Sequence, residues 1–124
     1  MLELVTVPVT DVDRAKRFYS EQVGFVVDHD TPVSDDMRVV QLTPPGSACS
    51  IALGTGIVDT PPGSAQGMQL VVSDIEAARA ELVERGVQVS QVQHFDGADR
   101  VDGRGGDWNS FVFFSDPDGN GWAV

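Results

Sequence analysis

One stretch of this chain is written twice. "VTDVDRAKRFYSEQVGF" (9–25) reappears as "VSDIEAARAELVERGV" (72–87), with Asp11 on Asp74, Ala15 on Ala78, and Gly24 on Gly86 after a one-residue deletion. Self-similarity of this kind marks a supersecondary unit built more than once, so the two copies are expected to share their local structure. Each copy opens on a capping-box pattern, Thr10-x-x-Asp13 and Ser73-x-x-Glu76, whose side chains satisfy the orphan amides of a helix start. Each closes on glycine, the preferred residue just past a helix end. Between these signals Val12, Ala15, Phe18 and Tyr19, and then Ile75, Ala78 and Leu82, recur at helical spacing. The pattern predicts two amphipathic helices of about three turns.

Short apolar runs flank both helices. "LELVTVPV" and "MQLVV" precede them, "FVVDH" and "VQVSQVQ" follow, and all four read as strands. Later come "RVVQLTPPGSACSIAL" and "FVFFSDPDGNGWAV", each a strand, a Pro/Gly turn and a strand, with Thr43–Ser47 aligning on Asp116–Asn120. Each half is therefore β-α-β-β-β. The expectation is a single α+β domain over 1–124, with a first module at 1–55, a Gly/Pro-rich linker at 56–65 and a second module at 66–124.

The last turn has a competing reading. From Asp116 it runs D-x-D-x-N-G, as a calcium loop opens, but such a loop needs a bidentate Glu at its twelfth position, which falls beyond Val124. Pro117 presets φ at the second turn position and Gly119 supplies positive φ, so a hairpin is expected instead.

Composition narrows the partners. A hydrophobic share of 41% with 22% charged residues is globular, and neither a signal-peptide pattern nor a run long enough to span a bilayer is present, so a soluble cytoplasmic protein is expected. The single Cys49 rules out an internal disulfide and reads as a buried structural thiol. The net charge of -11 would repel a phosphate backbone or an anionic membrane, so neither nucleic acid nor membrane is expected as a partner, and a cationic ligand would be favoured.

Taken together, "VTDVDRAKRFYSEQVGF", its duplicate and "FFSDPDGNGW" resemble the vicinal oxygen chelate superfamily, which holds glyoxalase I, extradiol dioxygenases, and the fosfomycin and bleomycin resistance proteins. The resemblance covers essentially the whole chain. It implies two β-α-β-β-β modules whose mixed sheets curl around a shared cleft, helices outside, and a homodimer. Metal-dependent members take ligands from one position on the first strand and one on the last strand of each module. Here those positions carry Leu4, Ser50, Gly67 and Ala123, so neither a metal nor any other cofactor is expected. Glyoxalase and dioxygenase chemistry, which need that metal, are disfavoured with it.

Strand alternation then assigns the lining. Val5, Val7 and Val9 are placed on the helix side, and so are Met68, Leu70 and Val72. Thr6, Ser50 and Gln69 remain as the polar groups of a cleft otherwise lined by small, neutral residues. The Gly- and Asp-rich stretch 94–110 departs from the repeat and is expected to be a long loop without structure of its own. Its Trp108 is the candidate aromatic platform for a ligand. The site residues expected are Thr6, Ser50, Gln69 and Trp108, with no catalytic residue identified, in a metal-independent small-molecule binder of the bleomycin resistance type. The alternative is a metal-free isomerase or lyase in which Tyr19, His29 or His94 moves a proton.

Overall fold

In the computed structural model, which describes residues 1–124, both repeated helices start at an aspartate. Asp11 sits in extended backbone and its carboxylate accepts from the Arg14 amide at 3.0 Å; Asp74 accepts from Glu76 and Ala77 at 3.1 and 3.0 Å. The caps therefore lie one residue later than the capping boxes at Thr10 and Ser73 imply. A short carboxylate carries full charge at the helix's positive end, and it wins the place over a hydroxyl. Thr10 is turned elsewhere, its hydroxyl donating to Asp118 at 2.7 Å.

The chain forms two compact units, Met1–Gln66 with Asp116–Asn120, and Gly67–Ser115 with Gly121–Val124. The first unit runs β1 (Leu4–Thr6), α1 (Val12–Arg17), β2 (Val26–Ser34), β3 (Met37–Thr43) and β4 (Ser50–Thr55). After Arg17 the helix widens into π-helical turns over Phe18–Val23 and stops at Gly24, whose φ of 92° only glycine adopts cheaply. The sheet order is β1-β4-β3-β2, with β1 parallel to β4 and the other pairs antiparallel. β2 is an edge strand, which is why it tolerates Pro32 and two register irregularities. Val7, Val12, Ala15, Phe18, Tyr19, Phe25, Val40, Leu42, Ile51 and Leu53 fill the core, with Tyr19 set edge-on to Phe18 and stacked on Phe25.

One expectation for β1 fails, since Val5 is exposed. Pro8, past the strand's end, is buried and gives its carbonyl to the Asn120 side chain at 2.8 Å and to the Gly63 amide at 3.2 Å. Cys49 is only half-buried, since it stands before β4 and not within it.

The second unit runs β5 (Met68–Gln69), α2 (Ile75–Glu84), β6 (Gln93–Asp96), β7 (Asp99–Asp102), β8 (Phe113–Ser115) and β9 (Gly121–Ala123). β5-β9-β8 form one sheet, β5 parallel and β8 antiparallel to β9. On one face Val112, Phe114, Trp122 and Val124 are buried, with Phe114 and Trp122 stacked in parallel at 6.1 Å. The stretch 94–110 is a second departure from expectation. It begins in a regular hairpin, β6 against β7, turned at Gly97 with φ 64°. "FDGADRV" supplies Gly97 at the first central position of a two-residue turn, Gly97-Ala98, and flanking strand residues. The architecture is α+β, with open mixed sheets and few helices.

Candidate functional site

The D-P-D-G-N segment is a polar knot inside the first unit. Asp116 accepts from the Tyr19 hydroxyl at 2.7 Å, from the Asp118 and Asn120 amides at 2.9 Å each, and from Asn120 Nδ2 at 2.7 Å. Asn120 also accepts from the Ala65 amide at 3.0 Å. The carboxylates that suggested calcium are therefore spent on holding a turn. Tyr19 is spent with them: it is fully buried, so it cannot serve as a proton-transfer group for a ligand.

Metal fits no better elsewhere. Leu4 lies directly opposite Ser50, and Ala123 opposite Gln69, with Gly67 just before β5. Those four positions offer one hydroxyl, and it already shares hydrogen bonds with Thr43 at 2.7 Å and Gln41 at 3.4 Å. No three His, Cys, Asp or Glu side chains group in a way that could hold a metal ion. The side chains at the superfamily's metal positions do not make a transition-metal site.

The four expected ligand residues fall two in each unit. In the first, Thr6 pairs with Ala52 and Ser50 with Leu4, so both look out from one face of the sheet. Ser50 is buried and anchors a polar row. Thr43 links it to the Asp28 carboxylate, and Gln41 reaches both Asp28 and His29. Sequence reasoning missed Asp28, Gln41 and Thr43; the alternation of β3, which carries polar residues at 41 and 43, is the signal that would have found them.

In the second unit Gln69 and Trp108 line one groove of about 620 Å³, with Ile75, Phe111 and Val124 as its apolar floor and Arg104 and Asp107 as charged groups. The loop presenting Trp108 is well tied. Asn109 accepts from the Phe95 amide at 2.8 Å and donates to the Phe95 carbonyl at 2.9 Å, and the Gly105 amide donates to Ser110 at 3.2 Å. Gly105 cannot be replaced in place, because a Cβ there would run into the Asn109 carbonyl and the His94 side chain. Trp108 itself is 84% exposed and has φ of 59°, the one non-glycine residue in that region. Holding an indole in solvent on left-handed backbone costs stability twice, in strain and in exposed apolar area.

The lining is not the small-residue surface that strand alternation predicts. Phe113 lies opposite Ala123 and Gln93 opposite Phe111, which puts Phe95, Phe111 and Phe113 on the face that carries Gln69. The three rings touch, Phe111 and Phe113 stacked at 6.0 Å and Phe95 edge-on to both at 5.5 and 6.4 Å. Arg100, opposite Phe95, places its guanidinium 4.1 Å from the centre of the Phe113 ring. The buried Gln93 Oε1 has no donor, while the same amide's Nε2 donates to Asp102 at 2.9 Å. His94 donates through Nδ1 to the Gly103 carbonyl at 2.9 Å, and His29 belongs to the other unit.

The comparisons with known proteins give the chain's relatives. A glyoxalase/bleomycin resistance protein from Streptomyces sp. CB03234 is 37% identical, with TM-score 0.77 over 99% of this chain and 97% of that one. An antibiotic binding protein from the same strain is also 37% identical, with TM-score 0.78 over 99% and 92%. A superfamily member from Sphaerobacter thermophilus is 30% identical, with TM-score 0.78 over 99% and 94%. No curated protein matches. The profile of the Glyoxalase/Bleomycin resistance protein/Dioxygenase superfamily matches residues 2–124, and the chain belongs to that superfamily.

Proposed function

We propose that this protein binds a small, partly aromatic organic molecule and sequesters it unchanged, without a metal. The observation that carries this reading is Trp108, exposed and conformationally strained in the lining of a groove of mixed apolar and polar character. A groove of about 620 Å³ is of a size that takes a drug-sized ligand. Strain and exposure of this kind concentrate at ligand sites, where binding recovers the area they leave open. The antibiotic binding relative supports the same class of ligand. Cytoplasmic residence and a homodimer belong to the proposal, the first in keeping with a lone half-buried cysteine, the second with what the superfamily resemblance implies.

A thermal-shift screen of aromatic antibiotics, followed by calorimetric titration of the best hit against wild type and Trp108→Ala, tests it. Binding weakened up to about tenfold by the substitution, the size of one aromatic stacking contact, is expected. Chemical turnover of the bound molecule, lost in His29→Ala or His94→Ala, would instead establish the isomerase or lyase reading. Light scattering at micromolar concentration decides the dimer.

A further inference from the structure

The net charge alone points to a cationic ligand, whereas the second unit's sheet face points the other way. Phe95 is 42% exposed and Phe111 and Phe113 are half-buried, so a continuous patch of aromatic surface is left open to a ligand. Arg100 sits over the Phe113 ring and makes no ion pair, in a chain with 19 acidic side chains. A guanidinium held over a ring face by its charge can still offer N–H donors to a second partner. The nearest carboxylate on that face, Asp102, is already engaged by Gln93, and Asp96 and Asp99 alternate to the opposite face.

We infer that this face recognises a flat aromatic molecule bearing an anionic oxygen, a carboxylate or phenolate. The ligand's ring extends the Phe95–Phe111–Phe113 cluster and its oxygen meets Arg100. The orphaned Gln93 Oε1 marks the same face as one where a donor, from ligand or water, is still to be supplied. The overall charge of -11 does not prevent this: at physiological ionic strength charges beyond about 8 Å are screened, so a guanidinium in contact outweighs distant carboxylates. Phe111 and Gln69 are shared with the Trp108 groove, so the inference deepens the small-molecule reading and rests on it.

Three probes of matched shape test it: 2-naphthoate, 2-naphthylmethanol and 2-naphthylmethylammonium, titrated calorimetrically at 150 mM salt. The expected result is that naphthoate binds about tenfold more tightly than either of the others, the worth of one charge-assisted contact. Arg100→Gln should abolish the preference and Arg100→Lys should keep part of it, while circular dichroism of both variants matches wild type. Equal affinity for all three probes, or a preference untouched by Arg100→Gln, overturns the inference. If the neutral probe binds and depends on Trp108 yet charge makes no difference, the inference fails and the groove reading stands; if no probe binds at millimolar concentration while an aromatic antibiotic does, the inference again fails alone.

Discussion

Tyr19 and Asp116 stand 97 positions apart and meet in a 2.7 Å hydrogen bond that no solvent reaches. The phenol is one of four donors on that carboxylate, so removing it leaves Asp116 still well solvated by protein. Tyr19→Phe should cost about 1.5 kcal/mol, the usual worth of a hydrogen bond to a charged group. Asp116→Ala strands all four donors and should cost about 3 kcal/mol or more. Urea midpoints of the two variants, read by fluorescence, give both numbers; equal losses would mean the knot acts only through its backbone turn.

Acid should loosen one ion cluster on the first unit. Arg38 donates to Asp30 through Nε and Nη2 at 2.9 and 2.7 Å, Lys16 adds a contact at 2.9 Å, and Asp13 holds the far side of Arg38 at 2.9 Å. The hydrogen bonds from Arg38, and then from Lys16, hold the Asp30 carboxyl well below the usual carboxylate range. A depressed carboxylate contributes stability above its unfolded pKa and loses it as pH falls through the folded value. Wild type should therefore exceed Asp30→Asn by about 1 kcal/mol above pH 5 or so, with the gap closing below about pH 4. Denaturant unfolding at a series of pH values checks the window.

Trp108 should show a trade between stability and binding. Glycine pays nothing for a φ of 59° and removes an exposed indole, so Trp108→Gly should stabilise the unliganded protein by up to about 1 kcal/mol. The same change should weaken aromatic ligands. A melting temperature that falls instead would mean the indole is packed in solution.

Gly105→Ala should disturb the Trp108 loop from within the groove's own lining. The new methyl collides with the Asn109 carbonyl, and Asn109 is what ties the loop to β6. The expected outcome is a loss of about 1–3 kcal/mol, as for other overpacked sites, together with weaker ligand binding. Unchanged binding would show that the loop's position does not matter.

Metal content is the simplest measurement. Protein purified without chelator should carry only substoichiometric zinc, nickel, iron or manganese, since Leu4, Ser50, Gly67 and Ala123 cannot ligate them. Elemental analysis showing one bound equivalent after dialysis would mean that other residues hold it.

The repeat made the helices, the paired hairpins and the α+β class legible, because helical spacing and Pro/Gly turns are local signals. The site was legible only in part. Trp108 and Gln69 could be picked out and do line one groove. Phe95, Phe111 and Phe113 could not: Phe95 reaches that face only through the β6–β7 hairpin, whose Gly97-Ala98 turn sat in a stretch rich enough in Gly and Asp to pass for a structureless loop. The cap positions were missed by one residue because a hydroxyl and a carboxylate that are both good caps stand side by side in each copy, and the pattern alone does not choose between them.

The turn Asp116–Asn120 lies within the second copy of the repeat yet is built into the first unit, where it receives the Tyr19 hydroxyl, the Ala65 amide and the contact to Pro8. A cut in the linker would thus not yield two halves that each close on themselves. Residues 1–66 alone would keep a buried phenol, a carbonyl and an amide with nothing to bind, and would need those five residues back from another polypeptide. Added in trans, a peptide carrying them is the natural complement for such a fragment, and the boundary between the two repeats is not a seam along which the protein can be split.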